Sequence, residues 1–279
     1  MEYGERPPHP ALRPFVRTYW TLRGEGAECA AQPVLPDGST ELIVHRARPF
    51  RRYTGREHSQ LDDGFQRQAP LLFVGQMRAP VVLEPDGAAE VVAIRFRPHG
   101  AFALLGGPQD RLVDEIAEVE GLGLAWLTAA ARRAREAPTS AAAVEHLENA
   151  LLRRLDRHPP RWDARVEAAL AVIARSDGDV RVERAAAAAG TSRRHLERLF
   201  VEHIGLGPKV FARLVRFQAA AARLVTEPGA ALAAVSGDGG YFDQSHMIRD
   251  FLAFAGASPQ ELRRRLGPLT AWMIARDHS

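Results

Sequence analysis

The chain reads as an α+β protein: a β-rich domain with flanking helices over residues 1–157, followed by an all-helical domain over residues 158–279. Three observations predict this. Before about residue 100, short runs rich in β-branched and aromatic residues alternate with turn clusters. From about Arg111 onward, apolar residues recur every three or four positions, the period of a helix with one buried face. Between the halves, Arg157-His158-Pro159-Pro160 interrupts the helical pattern, and the charge balance changes sign there. Residues 161–279 carry 17 basic and 13 acidic side chains against 20 and 21 before them, so the second part is +4 and the first −1. A length of 279 residues suits two domains of ordinary size.

In the first domain, strands are expected at Phe15–Leu22, Thr40–His45, Leu71–Gln76, Val81–Glu84 and Val91–Arg97. Pro36-Asp37-Gly38 and Pro85-Asp86-Gly87 are turns, since proline presets φ and glycine accepts a left-handed conformation; they are read as structural signals, not sites. Helices are expected at Arg111–Val119, Leu122–Arg135 and Ala141–Leu155. Alternation then puts Glu41, Ile43 and His45 on one face, and Arg95 and Arg97 on a face with His99. These polar groups, converging in a pocket, would suit a small anionic or polar effector; the competing reading is a structural Glu41–Arg95 ion pair or plain surface exposure.

The second domain opens with a helix over Trp162–Arg175, striped by Val166, Leu170 and Ile173 and stopped by Ser176-Asp177-Gly178-Asp179. An alanine-rich helix, Val182–Ala189, meets Gly190-Thr191, and a further helix starts at Ser192, which is a helix-turn-helix layout. Leu196, Leu199, Phe200 and Ile204 form its buried stripe, leaving Arg193, Arg194, Glu197, Arg198 and Val201 outside. Residues 192–213 repeat at an offset of 51, pairing His195 with His246, Arg198 with Arg249, Phe200 with Phe251, Gly205 with Gly256, Pro208 with Pro259 and Arg213 with Arg264. The second copy thus has Asp243 as cap, Met247 and Phe251 inward, and Gln244, Ser245, Ile248 and Arg249 outward. Pro208–Val225, 18 residues, forms a connector of about 27 Å ended by Glu227-Pro228-Gly229. It would set two recognition helices roughly 34 Å apart, one turn of B-DNA, in successive major grooves. There arginine donates to guanine O6 and N7, and glutamate accepts from cytosine N4. The competing reading of the first row is a solvated face with Arg193 and Glu197 paired.

GTSRRHLERLFVEHIGLGPKVFARLVRFQAAAARL followed by GYFDQSHMIRDFLAFAGASPQELRR resembles the double helix-turn-helix domain of AraC/XylS-type bacterial transcription regulators, over about residues 163–266. The resemblance implies base-reading by Arg194, Glu197, Arg198, Gln244, Ser245, His246 and Arg249, with Ser192, Arg193 and Asp243 nearest the phosphates or capping. His195 and His246 read equally well as helix-packing groups. Ala233-Ala234-Val235-Ser236-Gly237-Asp238-Gly239-Gly240 departs from the family pattern, and its three glycines predict a looser second unit. LRPFVRTYWTL, VLPDGSTELIVH, FVGQMRAP and VVAIRFRPHGAFALLG resemble an uncharacterised sensor domain found ahead of such DNA-binding domains, which implies a barrel-like β fold.

Other classes find little support. No run approaches 18 apolar residues and MEYGERPPHP lacks the core of a secretory signal, so neither membrane insertion nor export is expected and the cytoplasm is the expected location. The lone Cys29 forms no intrachain disulfide or zinc site. With no HxH, HExxH, GxSxG or phosphate loop, no cofactor, metal or catalysis is expected. The expected function is sequence-specific binding of double-stranded promoter DNA under control of a small-molecule effector. A second copy of the chain and RNA polymerase are the remaining candidate partners. A front domain that only dimerises, and more distantly an enzyme fused to a DNA-binding domain, are the alternatives.

Overall fold

A computed structural model of the chain describes residues 1–25, 31–53, 64–227, 229–267, 270, 271 and 274; Cys29 and Pro228 lie outside them. The first domain is built on two antiparallel sheets. Six strands, in the order β1 (Glu2–Arg6), β2 (Val16–Gly24), β9 (Ala89–Phe96), β4 (Glu41–His45), β7 (Leu71–Val74) and β10 (Ile116–Glu118), form the larger. The smaller is β3 (Gln32–Val34), β8 (Val81–Glu84), β5 (Arg51–Tyr53) and β6 (Phe65–Arg67). The barrel-like expectation is met loosely, because the two sheets do not close into one barrel.

Alternation along the central strands explains the layering. Val92, Ile94 and Phe96 on β9, with Leu42 and Val44 on β4, join a core completed by helices α2 (Ala125–Glu136) and α3 (Ser140–Arg157). Val91 and Ala93 face the other way, with Trp20, Leu22 and Phe50, and Leu83 of the smaller sheet packs against them. The larger sheet is therefore covered on both faces. Short α1 (Gly100–Leu105) follows β9 directly. The two proline-led turns behave as expected, with Gly38 at φ 78° and Gly87 at φ 90°.

The helix expected over Arg111–Val119 is not formed. A 3-10 turn over Gln109–Leu112 ends before Asp114, which sits at φ 61°, and Ile116–Glu118 then pairs with β7 as the edge strand β10. Left-handed backbone at a non-glycine residue breaks a helix, and an unpaired edge of β7 offers hydrogen bonds that a short helix there would not. The helix expected from Trp162 begins later, at α4 (Ala164–Arg175), because Asp163 caps it by accepting from the Arg165 N–H at 2.9 Å.

The second domain continues with α5 (Val182–Ala188), α6 (Arg193–Ile204), α7 (Pro208–Thr226), α8 (Leu232–Asp238), α9 (Gln244–Ala255) and α10 (Pro259–Arg265). Its buried cluster runs from Val166 through Leu196, Phe200, Phe217 and Phe251 to Leu262. Leu35 of the first domain belongs to this same cluster. Further contacts join the domains: the Gln218 side-chain amide donates to the Pro36 carbonyl, Thr270 donates to the Pro33 carbonyl at 2.6 Å, and Phe102 stacks on His203 at 3.9 Å.

Candidate DNA-binding interface

The two helix-turn-helix units follow one plan. Helices α6 and α9 each have 12 residues and start 51 positions apart. Ser192 caps the first by accepting from the His195 N–H at 3.3 Å, and Asp243 caps the second by accepting from His246 at 2.6 Å. Left-handed glycines end both, Gly205 at φ 92° and Gly256 at φ 64°, and the next helices open on Pro208 and Pro259. Leu196, Leu199, Phe200 and Ile204 are buried, as are Met247 and Phe251, so both stripes face inward as their spacing predicts. Helix α8 forms despite Gly237, and Gly239 and Gly240 fall just beyond its end, where glycine costs little.

Arg194 and Arg198 are exposed on α6, and Gln244, Ser245 and Arg249 on α9. Arg194 and Arg249 make no ion pair among the described residues. Arg193 is held by two carboxylates, Glu197 at 2.9 Å, the i,i+4 pairing that its spacing allows, and Glu183 of α5 at 2.8 Å. Glu197 is thus engaged by a neighbour on its own helix. Arg198 reaches the Nδ1 of His195 at 3.1 Å, a bond that leans the guanidinium along α6. His246 is half-buried, its ring 5.2 Å from Tyr241 and its Nε2 3.4 Å from Arg216, so it faces the connector.

The connector α7, 19 residues and about 28 Å long, grips the second unit through a cluster whose acidic member the sequence pattern did not single out. Asp250 on α9 is almost fully buried; its Oδ1 accepts from Arg213 at 2.7 and 3.0 Å, and Arg216 approaches Oδ2 at 3.6 Å. The Arg216 guanidinium lies over the Tyr241 ring at 4.9 Å. An acidic residue on the inner side of an otherwise apolar stripe, opposite two connector arginines spaced three apart, is the signal that could have revealed it.

This geometry finds its match among known sequences. One family model, a helix-turn-helix domain, matches residues 185–265, and another, a domain of unknown function (DUF6597), matches residues 4–118. Residues 185–265 are therefore a helix-turn-helix domain of the AraC type. Through that domain the chain is a DNA-binding transcription regulator. Among solved structures, ToxT from Vibrio cholerae O395 is similar, at 11% identity and a TM-score of 0.47, over 90% of this chain and 98% of that one. ToxT bound to (E)-4-(8-methylnaphthalen-1-yl)but-3-enoic acid gives 10% identity and a TM-score of 0.47, over 92% and 99%. No curated protein matches the chain. No helix among the described residues is long and apolar enough to cross a membrane.

The pocket expected in the regulator's front domain is not assembled as its spacing suggested. Glu41 and Arg95 are direct cross-strand partners, joined at 2.7 Å, with Trp20 donating to the same carboxylate at 3.0 Å and Asp37 pairing with the guanidinium. Burial pushes the Glu41 carboxyl up, and Arg95 and the Trp20 N–H oppose that shift. The ion-pair reading therefore holds. His45 does share the Glu41 face, but four residues along the strand, about 13 Å away, against Phe50 at 5.0 Å. Arg97 and His99 lie beyond the end of β9, outside the pleat that would have aligned them with Arg95.

Arg97 and His99 instead line a cleft of about 800 Å³ between the domains. Arg13, Arg17 and Asp37 share its front-domain wall; Glu167, Leu170, Phe211 and Val215 form the opposite one. Arg97 is exposed and donates through Nε to the Arg13 carbonyl at 2.7 Å. Burial pushes the His99 imidazole down, keeping it neutral near pH 7.

Proposed function

We propose that this regulator reads a specific promoter sequence with α6 and α9 and is switched by a small anionic effector held in the cleft between its domains. The observation that carries the first part is the repetition of one unit, its helices equal in length and each recognition helix capped by a side chain, on either side of a rigid connector. Arg194, Arg198 and Arg249 are the base-reading arginines, Gln244 and Ser245 the polar readers of the second half-element, and Ser192 and Arg193 the groups nearest phosphate. Glu197 reads cytosine only when Arg193 turns to a phosphate and releases it. His246 positions α9 against the connector. Asp243 contributes its cap.

The cleft supports the second part. Its size falls within the usual range for small-ligand sites; Arg13, Arg17 and Arg97 stand beside Asp37 on one wall, and Leu170, Phe211 and Val215 give the other an apolar surface flanked by Glu167 and Asp177. A carboxylate ligand with an apolar body would touch both domains at once, so its affinity would differ between docked and separated arrangements, which is what a population shift requires.

The test is selection from a random duplex library by the purified chain, then anisotropy titration of the winner and a scrambled duplex with and without a panel of carboxylates. A motif with two half-elements about one helical turn apart, favoured on the order of 1000-fold, is expected. A carboxylate that raises the unfolding temperature and changes DNA affinity, with both effects lost in Arg97→Ala, is expected for the cleft. Salt-sensitive binding without sequence preference would refute the first part; a panel without any thermal shift would refute the second.

A further inference from the structure

Phe242 is 93% exposed, the most exposed of the large apolar side chains described. It directly precedes Asp243, the cap of α9. A bulky apolar residue in that position ordinarily folds back onto the fourth helical residue as a hydrophobic staple. Here the fourth residue is Met247, which is fully buried in the domain core while Phe242 stays in solvent, so the staple is not made. Its neighbour Tyr241 takes the inward place, packed on His246 and under Arg216.

Comparison of the two units explains how this arises. Four residues, 189–192, separate α5 from α6, whereas five, 239–243, separate α8 from α9. The left-handed glycines of the turns, Gly190 at φ 62° and Gly240 at φ 69°, match, so the additional residue lies between glycine and cap. Where the first unit has Thr191 alone, the second has Tyr241 and Phe242, one ring tucked in and the other turned out. Phe242 stands at the N-terminal end of α9 beside exposed Gln244 and Ser245, the end that a recognition helix brings to base edges. The major-groove edge carries one apolar feature, the 5-methyl group of thymine.

We propose that Phe242 is a specificity-determining residue of the second half-element, its ring seated against the methyl group of a thymine. This rests on the reading that α9 enters the major groove. It adds to that reading an apolar contact that the first unit lacks.

The experiment uses the full chain and the duplex that the wild-type protein selects, with each thymine in turn replaced by deoxyuridine. Phe242→Ala is expected to weaken binding about tenfold, equal to about 1.4 kcal/mol. One deoxyuridine is expected to weaken wild-type binding roughly fourfold, a buried methyl group's share, and to leave Phe242→Ala unaffected. The unfolding temperature of Phe242→Ala should equal that of the wild type, because the side chain is almost wholly exposed among the described residues. Unchanged affinity of Phe242→Ala, with Arg249→Ala weakened, would overturn this proposal while leaving DNA reading by α9 intact. Equal weakening on all duplexes with no sensitive thymine would overturn it in favour of a sugar–phosphate contact. Loss of a wild-type dimer in Phe242→Ala, seen by sedimentation, would overturn it in favour of self-association. Failure of the wild type to select any sequence would overturn both readings together.

Discussion

Two left-handed glycines of the first unit should respond very differently to alanine. Gly190, at φ 62°, has open space where a Cβ would go, so Gly190→Ala carries only the strain of a left-handed L-residue, roughly 1 to 2 kcal/mol. Gly205, at φ 92°, carries the same strain, but its Cβ would also come within 2.8 Å of a Val113 methyl and 2.9 Å of the Gln109 carbonyl oxygen. Both contacts are shorter than side chains tolerate, and one is to backbone, which cannot swing aside. Overpacking of this kind adds about 1 to 3 kcal/mol, so Gly205→Ala should lose roughly 2 to 5 kcal/mol in total. The front domain can relieve the clash by lifting from α6, so the added loss is capped by the strength of the interdomain contact itself. Calorimetry of the three proteins, with hydrogen exchange at residues 99–113, measures both quantities. Gly205→Ala should lower stability more than Gly190→Ala and speed exchange in that segment, and adding Val113→Ala should recover part of the loss. Equal losses for the two glycine variants, with unchanged exchange, would refute a front domain seated on the first recognition helix.

Arg198→Ala or Arg249→Ala should cost about 1 to 3 kcal/mol of DNA affinity and relax the preference at one base pair, read by repeating the library selection; equal loss on specific and scrambled duplexes would argue against base reading. Asp250→Ala leaves Arg213 and Arg216 facing a buried gap and should destabilise the second domain by about 3 kcal/mol or more in urea unfolding, with most of the loss absent in a triple variant that also neutralises both arginines. Burial holds the His45 imidazole down at about 4, below its ordinary value of 6.5. Between those values the unfolded chain takes up a proton that the folded chain refuses, so stability is full above pH 6.5 and falls as the pH drops towards 4, by about 3 kcal/mol in all. His45→Phe should flatten that slope in urea titrations between pH 4 and 7.

Much of this arrangement is legible in the residues themselves, and what is not has identifiable physical causes. The second domain is written in periodic local signals: N-caps, left-handed glycines, first-turn prolines and apolar stripes act over four or five residues, so spacing alone places α6, α7 and α9. The strands with β-branched alternation, such as Val91–Ile94, are equally plain. Glu2–Arg6 and Ile116–Glu118 are not, because an edge strand is defined by the unpaired neighbour it completes and that neighbour is distant in sequence. The pocket expected around Glu41 is absent for a related reason. Alternation correctly puts Glu41, Ile43 and His45 on one face, but a face is not a point, and Glu41 is already occupied by the residue opposite it. The cleft that Arg97 and His99 do line owes its far wall to α4 and α7, over 60 residues further along the chain. Asp250 carries no such local mark, because periodicity assigns a position inward without saying that a charge can live there.

The segment from Pro33 to Gly38 has a consequence for anyone recombining such proteins. By sequence the domains part at Pro159-Pro160, and a chimera would naturally be cut there. Yet Leu35 helps fill the core beneath α6 and α7, Pro36 and Pro33 accept hydrogen bonds from Gln218 and Thr270, and a Cβ on Gly38 would lie 3.1 Å from the Phe211 ring. Six residues of the front domain therefore act as a detached part of the DNA-binding domain. Transplanting residues 158–279 onto a foreign front domain would leave that part behind, and a graft that also supplies the 33–38 loop should fold and respond where the simpler one does not.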